Sequence, residues 1–130
     1  MSTLYYTIPK YFEARMAEHN CVAACTRVEA GDEVVYRIER TNGRKSLLVF
    51  LSDAYSFGQA EYLGRPTIIR RGDFVLVARP EGGLGDVSLE RAKNDGIGIG
   101  KLAKLMGALN MDDVSRYRTP EEREADKRRS

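Results

Sequence analysis

Hydrophobic and polar residues alternate most clearly over residues 33–40, which read EVVYRIER. The apolar residues point to one side of an extended chain and the charged residues to the other, which predicts a half-buried strand. An Asn-Gly pair follows at 42–43 and is the dipeptide most typical of a tight hairpin turn. The partner strand is then 46–51 (SLLVFL), whose apolar residues on both faces indicate a central place in a sheet.

Further strands are predicted on either side of this hairpin. Residues 73–78 (DFVLVA) are again apolar on both faces, and residues 21–29 (CVAACTRVE) form a weaker strand pattern. Residues 52–63 (SDAYSFGQAEYL) predict a helix that Ser52 or Asp53 would cap. Two buried strands joined by a helix are typical of a right-handed parallel crossover.

Helices are predicted at both ends of this core. Pro9 suits the first position of a helix over KYFEARMAEH, and Asp86 would cap a short helix over DVSLERAKN. The apolar residues of 99–109 form one face of another helix, and we interpret the glycines of 96–100 (GIGIG) as a kink between these two helices. The pattern predicts an α/β single-domain sandwich with a small mixed sheet of about four strands flanked by helices, in the order α-β-β-β-α-β-α.

The chain changes character near its C-terminus. Residues 1–111 carry the α/β pattern, whereas residues 112–130 are dominated by acids and bases. Thr-Pro-Glu-Glu at 119–122 forms a capping box, which predicts a helix that either docks on the domain or frays. One interpretation makes this tail the contact of a regulatory or inhibitor-like subunit, since it has too little apolar surface to fold alone.

Composition narrows the class of protein. The 130 residues suit one domain, and 21 basic against 19 acidic residues give a net charge of +2. This balance excludes a polybasic, histone-like binder and an acidic disordered chain. The sequence predicts no membrane span and no secretion leader, and two cysteines make no disulfide framework, so we expect a cytoplasmic protein.

The predicted order of helix, three antiparallel strands, helix and strand is similar to the core order of restriction-endonuclease-like nucleases. An active member of that group needs an acid on the second strand and a carboxylate–x–lysine on the third, which together hold a divalent metal. The third strand here reads SLLVFLSD and has no lysine two residues after an acid. The resemblance therefore implies a degenerate relative at most.

Polar residues follow the two strands that are predicted to be parallel, and ligands bind outside the carboxyl ends of such strands. We expect Asp53, Tyr55, Arg79 and Glu81 to converge there, beside the glycine-rich loop 82–85. Asp53 and Glu81 are then candidate catalytic residues of a metal-dependent nuclease or hydrolase, with magnesium as its cofactor. The alternative is structural: Asp53 caps a helix and pairs with Arg79, while Glu81 is solvated.

Two other constellations predict no cofactor. Residues 96–101 (GIGIGK) match the spacing of neither the dinucleotide fingerprint nor the P-loop. His19, Cys21 and Cys25 would span roughly 20 Å in a strand at about 3.3 Å per residue, which is too far to share one metal ion. We interpret the two cysteines as small buried hydrophobes.

The remaining functional signal is basic charge in two loops, 37–45 and 65–71, which hold a single acid between them. These loops predict either one arginine-rich surface for phosphates or two ordinary solvated loops. Few aromatics interleave with the bases, so stacking on nucleotides is not predicted. With Arg79, the candidate binding residues are Arg37, Arg40, Arg44, Lys45, Arg65, Arg70 and Arg71.

The sequence favours a small non-enzymatic binding module that contacts nucleic acid or another acidic partner, without a cofactor and without a membrane. The metal-dependent hydrolase and the interaction subunit are its alternatives. A four-stranded sheet also leaves two edges, and segment 21–29 as one of them offers a route to a homo-oligomer.

Overall fold

A mixed five-stranded sheet forms the centre of the protein in a computed structural model, which describes residues 7–87 and 89–129. A separate two-stranded ribbon pairs β4 with β6, and the five strands of the main sheet lie in the spatial order β1-β2-β3-β5-β7. The strands are β1 (Val22–Val28), β2 (Val34–Arg40), β3 (Leu47–Ser52), β4 (Ser56–Phe57), β5 (Phe74–Val77), β6 (Gly83–Leu84) and β7 (Gly98–Gly100).

The strand directions follow the hydrophobic pattern. β1, β2 and β3 are antiparallel neighbours, whereas β5 and β7 run parallel to β3. Asn42 and Gly43 make the β2–β3 turn with φ values of 61° and 73°, the left-handed conformation that the Asn-Gly pair predicts. β3, β5 and β7 therefore begin at one edge of the sheet, which we call the amino edge, and end at the opposite carboxyl edge.

Helices cover both faces of the sheet, which confirms the α/β class in a single domain. α1 and α4 pack on one face, around Phe12, Met16 and Leu105, and α2 and α3 pack on the other, around Tyr62 and Ala92. No helix of the described residues is long and apolar enough to cross a membrane. The helices are α1 (Thr7–Glu18), α2 (Gln59–Leu63), α3 (Leu89–Asn94), α4 (Leu102–Ala108), the 3₁₀ turn η1 (Val114–Arg116) and α5 (Pro120–Arg129).

The helix predicted over 52–63 is wrong in its first half. The chain instead forms β4, which pairs in parallel with β6 of the glycine-rich loop, and only the last five residues, 59–63, are helical. Phe57 is fully buried by this pairing, so tertiary packing overrides the local helix pattern. Ser52 and Asp53, the predicted caps of this helix, lie several residues before α2. The Asp86 carboxylate instead accepts a hydrogen bond from the N–H of Gln59, the first residue of α2, at 2.8 Å.

The kink predicted over 96–100 is also wrong, because residues 98–100 form the fifth strand of the sheet. Gly98 and Gly100 lie on the α4 side and Ile99 on the α3 side, so the glycines alternate with a buried apolar residue. A Cβ at Gly98 would lie 2.5 Å from the Phe74 ring, so a glycine is needed where the two strands and their helix meet.

The C-terminal segment folds onto the domain. Val114 is buried in the α1/α4 core, so the packed region continues beyond residue 111. The predicted capping box is present: the Thr119 hydroxyl accepts from the Glu122 N–H, and the Glu122 carboxylate accepts from the Thr119 N–H. Glu122 also pairs with Lys104 of α4 at 3.1 Å, which holds α5 against α4.

Candidate nucleic-acid interface

Asp73 ties its own loop to the start of β3 at the amino edge. Its Oδ1 accepts the N–H of Leu48 at the start of β3, and its Oδ2 accepts the N–H of Arg70, both at 2.9 Å. Burial raises the pKa of Asp73, although these two N–H donors favour its charged form. Because β3 and β5 are parallel neighbours, the β2–β3 turn at 41–46 and the loop 64–73 both lie at this edge.

Four basic residues of these loops form a surface that we call the basic edge: Arg44, Lys45, Arg70 and Arg71. Lys45, Arg70 and Arg71 are exposed, and Arg44 is partly buried beside the exposed carboxylate of Asp112 at 3.3 Å. Arg71 donates to the carbonyl of Asn94 at 2.8 Å, and this bond fixes the direction of its side chain. The structure thus brings the two basic loops to one edge of the sheet.

Arg37 lies beside the basic edge rather than within it. It is exposed on β2, on the part of the α2/α3 face that no helix covers over β1 and β2 in the described structure, which we call the open face. Its cross-strand partner on β3 is Leu48, the residue whose N–H bonds to Asp73. Because neighbouring strands lie about 5 Å apart, Arg37 extends the cationic surface onto this face.

Arg40 is a structural residue instead. Only 8% of it is exposed, and burial lowers the pKa of its guanidinium. Its guanidinium connects the β2–β3 hairpin to the end of α4 and to the residues that follow α4. Arg40 is therefore buried behind the basic edge. The guanidinium donates to the carbonyl oxygens of Lys45 at 2.8 Å, Leu109 at 3.3 Å, Met111 at 2.6 Å and Asp112 at 3.2 Å.

Arg65 also acts within the protein. Its guanidinium donates to the carbonyls of Tyr62 at 3.0 Å and Ile69 at 3.3 Å, and it stacks 4.5 Å from the centre of the Tyr62 ring. These contacts bridge the start and end of the turn that carries Arg70 and Arg71. Arg65 therefore stiffens the loop that presents the two exposed arginines.

The carboxyl edge gathers the other predicted residues around Arg79. Its Nε donates to the backbone carbonyl of Asp53 at 2.5 Å, and its Nη1 lies 3.3 Å from the Glu81 carboxylate. The Lys101 ammonium donates to the carbonyls of Arg79, Pro80 and Gly82 at 3.1, 2.8 and 2.6 Å. The backbone N–H of Glu81 itself and the Arg79 guanidinium lower the pKa of Glu81, which suits an ion pair better than a proton donor.

The candidate metal ligand His19 is hydrogen-bonded within the protein, and Cys25 is partly buried. The His19 Nε2 donates to the carbonyl of Met106 at 2.8 Å, and its Nδ1 accepts the Cys21 N–H at 3.0 Å. Burial raises the pKa of Cys25 to about 11, which disfavours the thiolate that binds metals. Across residues 7–87 and 89–129, no three His, Cys, Asp or Glu side chains come together as metal ligands.

Comparisons with known proteins assign no family to this geometry. Protein-family models, curated proteins and solved structures gave no match to this chain. The contacts and charges of the two sheet edges are therefore the basis for inferring its function.

Asp73 is the site residue that sequence reasoning missed. Its signal was a carboxylate directly before a buried strand, following Gly72, whose φ of 96° turns the loop into β5. In the sequence, the Asp73 carboxylate has no evident partner. The parallel pairing of β3 with β5 places the N–H of Leu48 beside it.

Proposed function

We propose that this chain is a non-enzymatic module that binds nucleic acid through the basic edge. The observation that supports this function is the parallel pairing of β3 with β5, because it puts the turn with Arg44 and Lys45 and the loop with Arg70 and Arg71 at the same edge of the sheet. Arginine guanidinium groups contact phosphate oxygens through paired donors, and such charge-assisted bonds are stronger than neutral ones.

The basic edge keeps three exposed cations although carboxylates lie beside it. The Asp73 carboxylate faces backbone N–H groups, and the Asp95 carboxylate accepts from the Tyr62 hydroxyl at 2.5 Å. Asp112 pairs with Arg44, which leaves Lys45, Arg70 and Arg71 as exposed cations. A short row of cations of this kind matches the repeated phosphates of a nucleic-acid backbone.

Binding through this edge is expected to be independent of base sequence. Among residues 7–87 and 89–129, the strongly exposed aromatic residues are Tyr11 on α1 and Tyr55 after β3 at the carboxyl edge, away from the basic loops. Stacking on bases needs aromatic side chains at the contact, so the proposed contacts are to phosphates.

The test is fluorescence anisotropy of a short labelled duplex over a salt series. Changing Arg70→Gln together with Arg71→Gln should weaken binding and reduce the slope of log affinity against log salt by about 2, one for each lost phosphate contact. The matched control removes two exposed charges elsewhere, Lys10→Gln with Arg128→Gln, and should bind nearly as well as the native protein.

Two results would overturn this function. One is the absence of binding to duplex and single-stranded nucleic acid at low salt. The other is an equal loss of affinity in the Lys10 and Arg128 control, which would show that only the overall charge matters. Cleavage of the duplex in magnesium, abolished by Asp53→Asn, would instead support the metal-dependent alternative.

A further inference from the structure

We propose that this chain forms a homodimer in which the β1 strands of two copies pair antiparallel, so that one continuous sheet runs through both. Within the described residues, β1 pairs with β2 along one side and packs against α1 on one face. No described strand pairs with its other side, which is an edge of the main sheet. At the opposite end of the sheet, η1 packs against β7.

Residues 24–28 of β1 lack the features that usually prevent edge pairing. Soluble proteins usually prevent such pairing with lysines, prolines or bulges on the edge strand, or with a very short edge strand. β1 has seven residues, VAACTRV, with one charge and no proline. Its single irregularity lies between Val22 and Ala24, and residues 24–28 pair regularly with β2. The charged residue, Arg27, places its guanidinium 5.8 Å from the centre of the Tyr36 ring, over the sheet.

The regular run 24–28 is complementary to itself about Thr26. A two-fold axis there sets Thr26 opposite Thr26, Ala24 opposite Val28 and Cys25 opposite Arg27 of the second copy. Arg27 thus meets a thiol rather than another arginine, and no like charges face each other. Cross-strand threonine pairs and small apolar pairs of this kind favour antiparallel sheets.

The surroundings of Thr26 also suit a second copy. Thr26 is exposed on the open face, and Ala24 and Val28 on the same side are only partly buried, so pairing would cover them further. Because paired β1 strands run in opposite directions, the amino edges of the two copies point away from each other. If the proposed function holds, the dimer would present its two basic edges to two separate nucleic-acid segments.

The first test traps the dimer with a disulfide. Opposed residues of an antiparallel pair have Cα atoms about 4.5–5.5 Å apart, which is within disulfide range. In a Cys21→Ser, Cys25→Ala background, Thr26→Cys should cross-link into a dimer under mild oxidation. Glu39→Cys is the matched control: it is exposed on the same face of β2, and about 20 Å would separate it from its copy, three strand spacings across and four residues along. Equal cross-linking at both positions, or none at Thr26, would overturn the dimer.

The second test needs no oxidation and uses sedimentation velocity. The native protein should approach twice the chain mass as its concentration rises from about 1 µM to about 1 mM. Thr26→Lys puts two like charges at the axis and should shift the protein to the monomer. Thr67→Lys makes the same change at an exposed threonine in loop 64–73 and should leave the dimer intact. A native protein that stays monomeric throughout, or a Thr26→Lys variant that remains dimeric, would contradict the proposal.

Discussion

Asp73 accepts the backbone N–H of Leu48 at 2.9 Å and thereby ties the loop before β5 to the start of β3. The bond lies where β3 and β5 begin, and the second oxygen of the same carboxylate holds the N–H of Arg70. One partly buried acid therefore fixes the backbone that carries Arg70 of the basic edge. The arrangement makes the geometry of the proposed interface depend on a residue that would not itself contact the ligand.

Asp73→Ala should consequently affect stability and binding together. The partly buried N–H of Leu48 loses its acceptor, which should lower the free energy of unfolding by about 1–3 kcal/mol, whereas water can bond the exposed N–H of Arg70. Asp73→Asn keeps one acceptor and should cost less. Chemical denaturation gives the stability, and duplex anisotropy at a temperature where the variant is folded gives the binding. Glu90→Ala, at an exposed position on α3, is the control, and a loss no larger than the control's would show that Asp73 does not hold the loops.

Arg40 and Arg44 should separate stability from binding, although they are four residues apart on the same hairpin. Arg40→Ala removes the donor to four backbone carbonyls and should lower the free energy of unfolding by about 3 kcal/mol. Arg44→Ala loses a surface ion pair with Asp112, which is worth at most about 1 kcal/mol, but should weaken duplex binding. Thermal unfolding and duplex anisotropy are measured on both variants. If Arg40 contacted the ligand, Arg40→Ala would weaken binding and Arg44→Ala would not, which would contradict this prediction.

The sequence predicted best those features that depend on local pattern. The alternation in β2 and the Asn42-Gly43 turn determined the hairpin, and the parallel crossover brought Asp53, Arg79 and Glu81 to the carboxyl edge as expected. The direction of buried side chains was not predictable in the same way. Arg40 and Arg70 look alike as basic loop residues, and only the position of α4 decides that Arg40 is covered.

The missed strand β7 shows a second limit. Glycine disfavours strands because it gains no packing from a side chain, so GIGIG resembles a linker between helices. Its role becomes visible only when β5 is in place, since Gly98 pairs with Phe74 and lies against its ring. Packing between elements that are distant in sequence therefore decides the structure of this segment.

Gly98→Ala should test that packing directly. The new Cβ would lie 2.5 Å from Cδ2 of Phe74, a fully buried ring, so the core must shift. Overpacking of this kind costs about 1–3 kcal/mol, which should appear as a lower thermal midpoint. Gly83→Ala is the matched control in β6, because a Cβ there meets no atom within 4 Å. Equal midpoints for the two variants would show that the contact at Gly98 is not needed.

Glu122 should make the docking of α5 sensitive to acid. Burial alone would raise the pKa of Glu122, but the Thr119 N–H and the Lys104 ammonium outweigh burial, and its pKa is lowered overall from 4.5. A carboxyl whose pKa is lower when folded binds more protons when unfolded, so its contribution to stability is present above pH 4.5 and is lost as the pH falls through the folded value.

The free energy of unfolding of the native protein should therefore decline below that pH, and α5 should loosen from α4. Glu122→Gln, which removes the titrating group, should be less stable at neutral pH and decline less steeply in acid. Urea denaturation across the pH range measures both slopes, with Glu124→Gln on the exposed side of α5 as the control. Because other carboxylates titrate equally in both variants, a Glu122→Gln profile parallel to that of the control would show that the Lys104 contact does not carry the acid sensitivity.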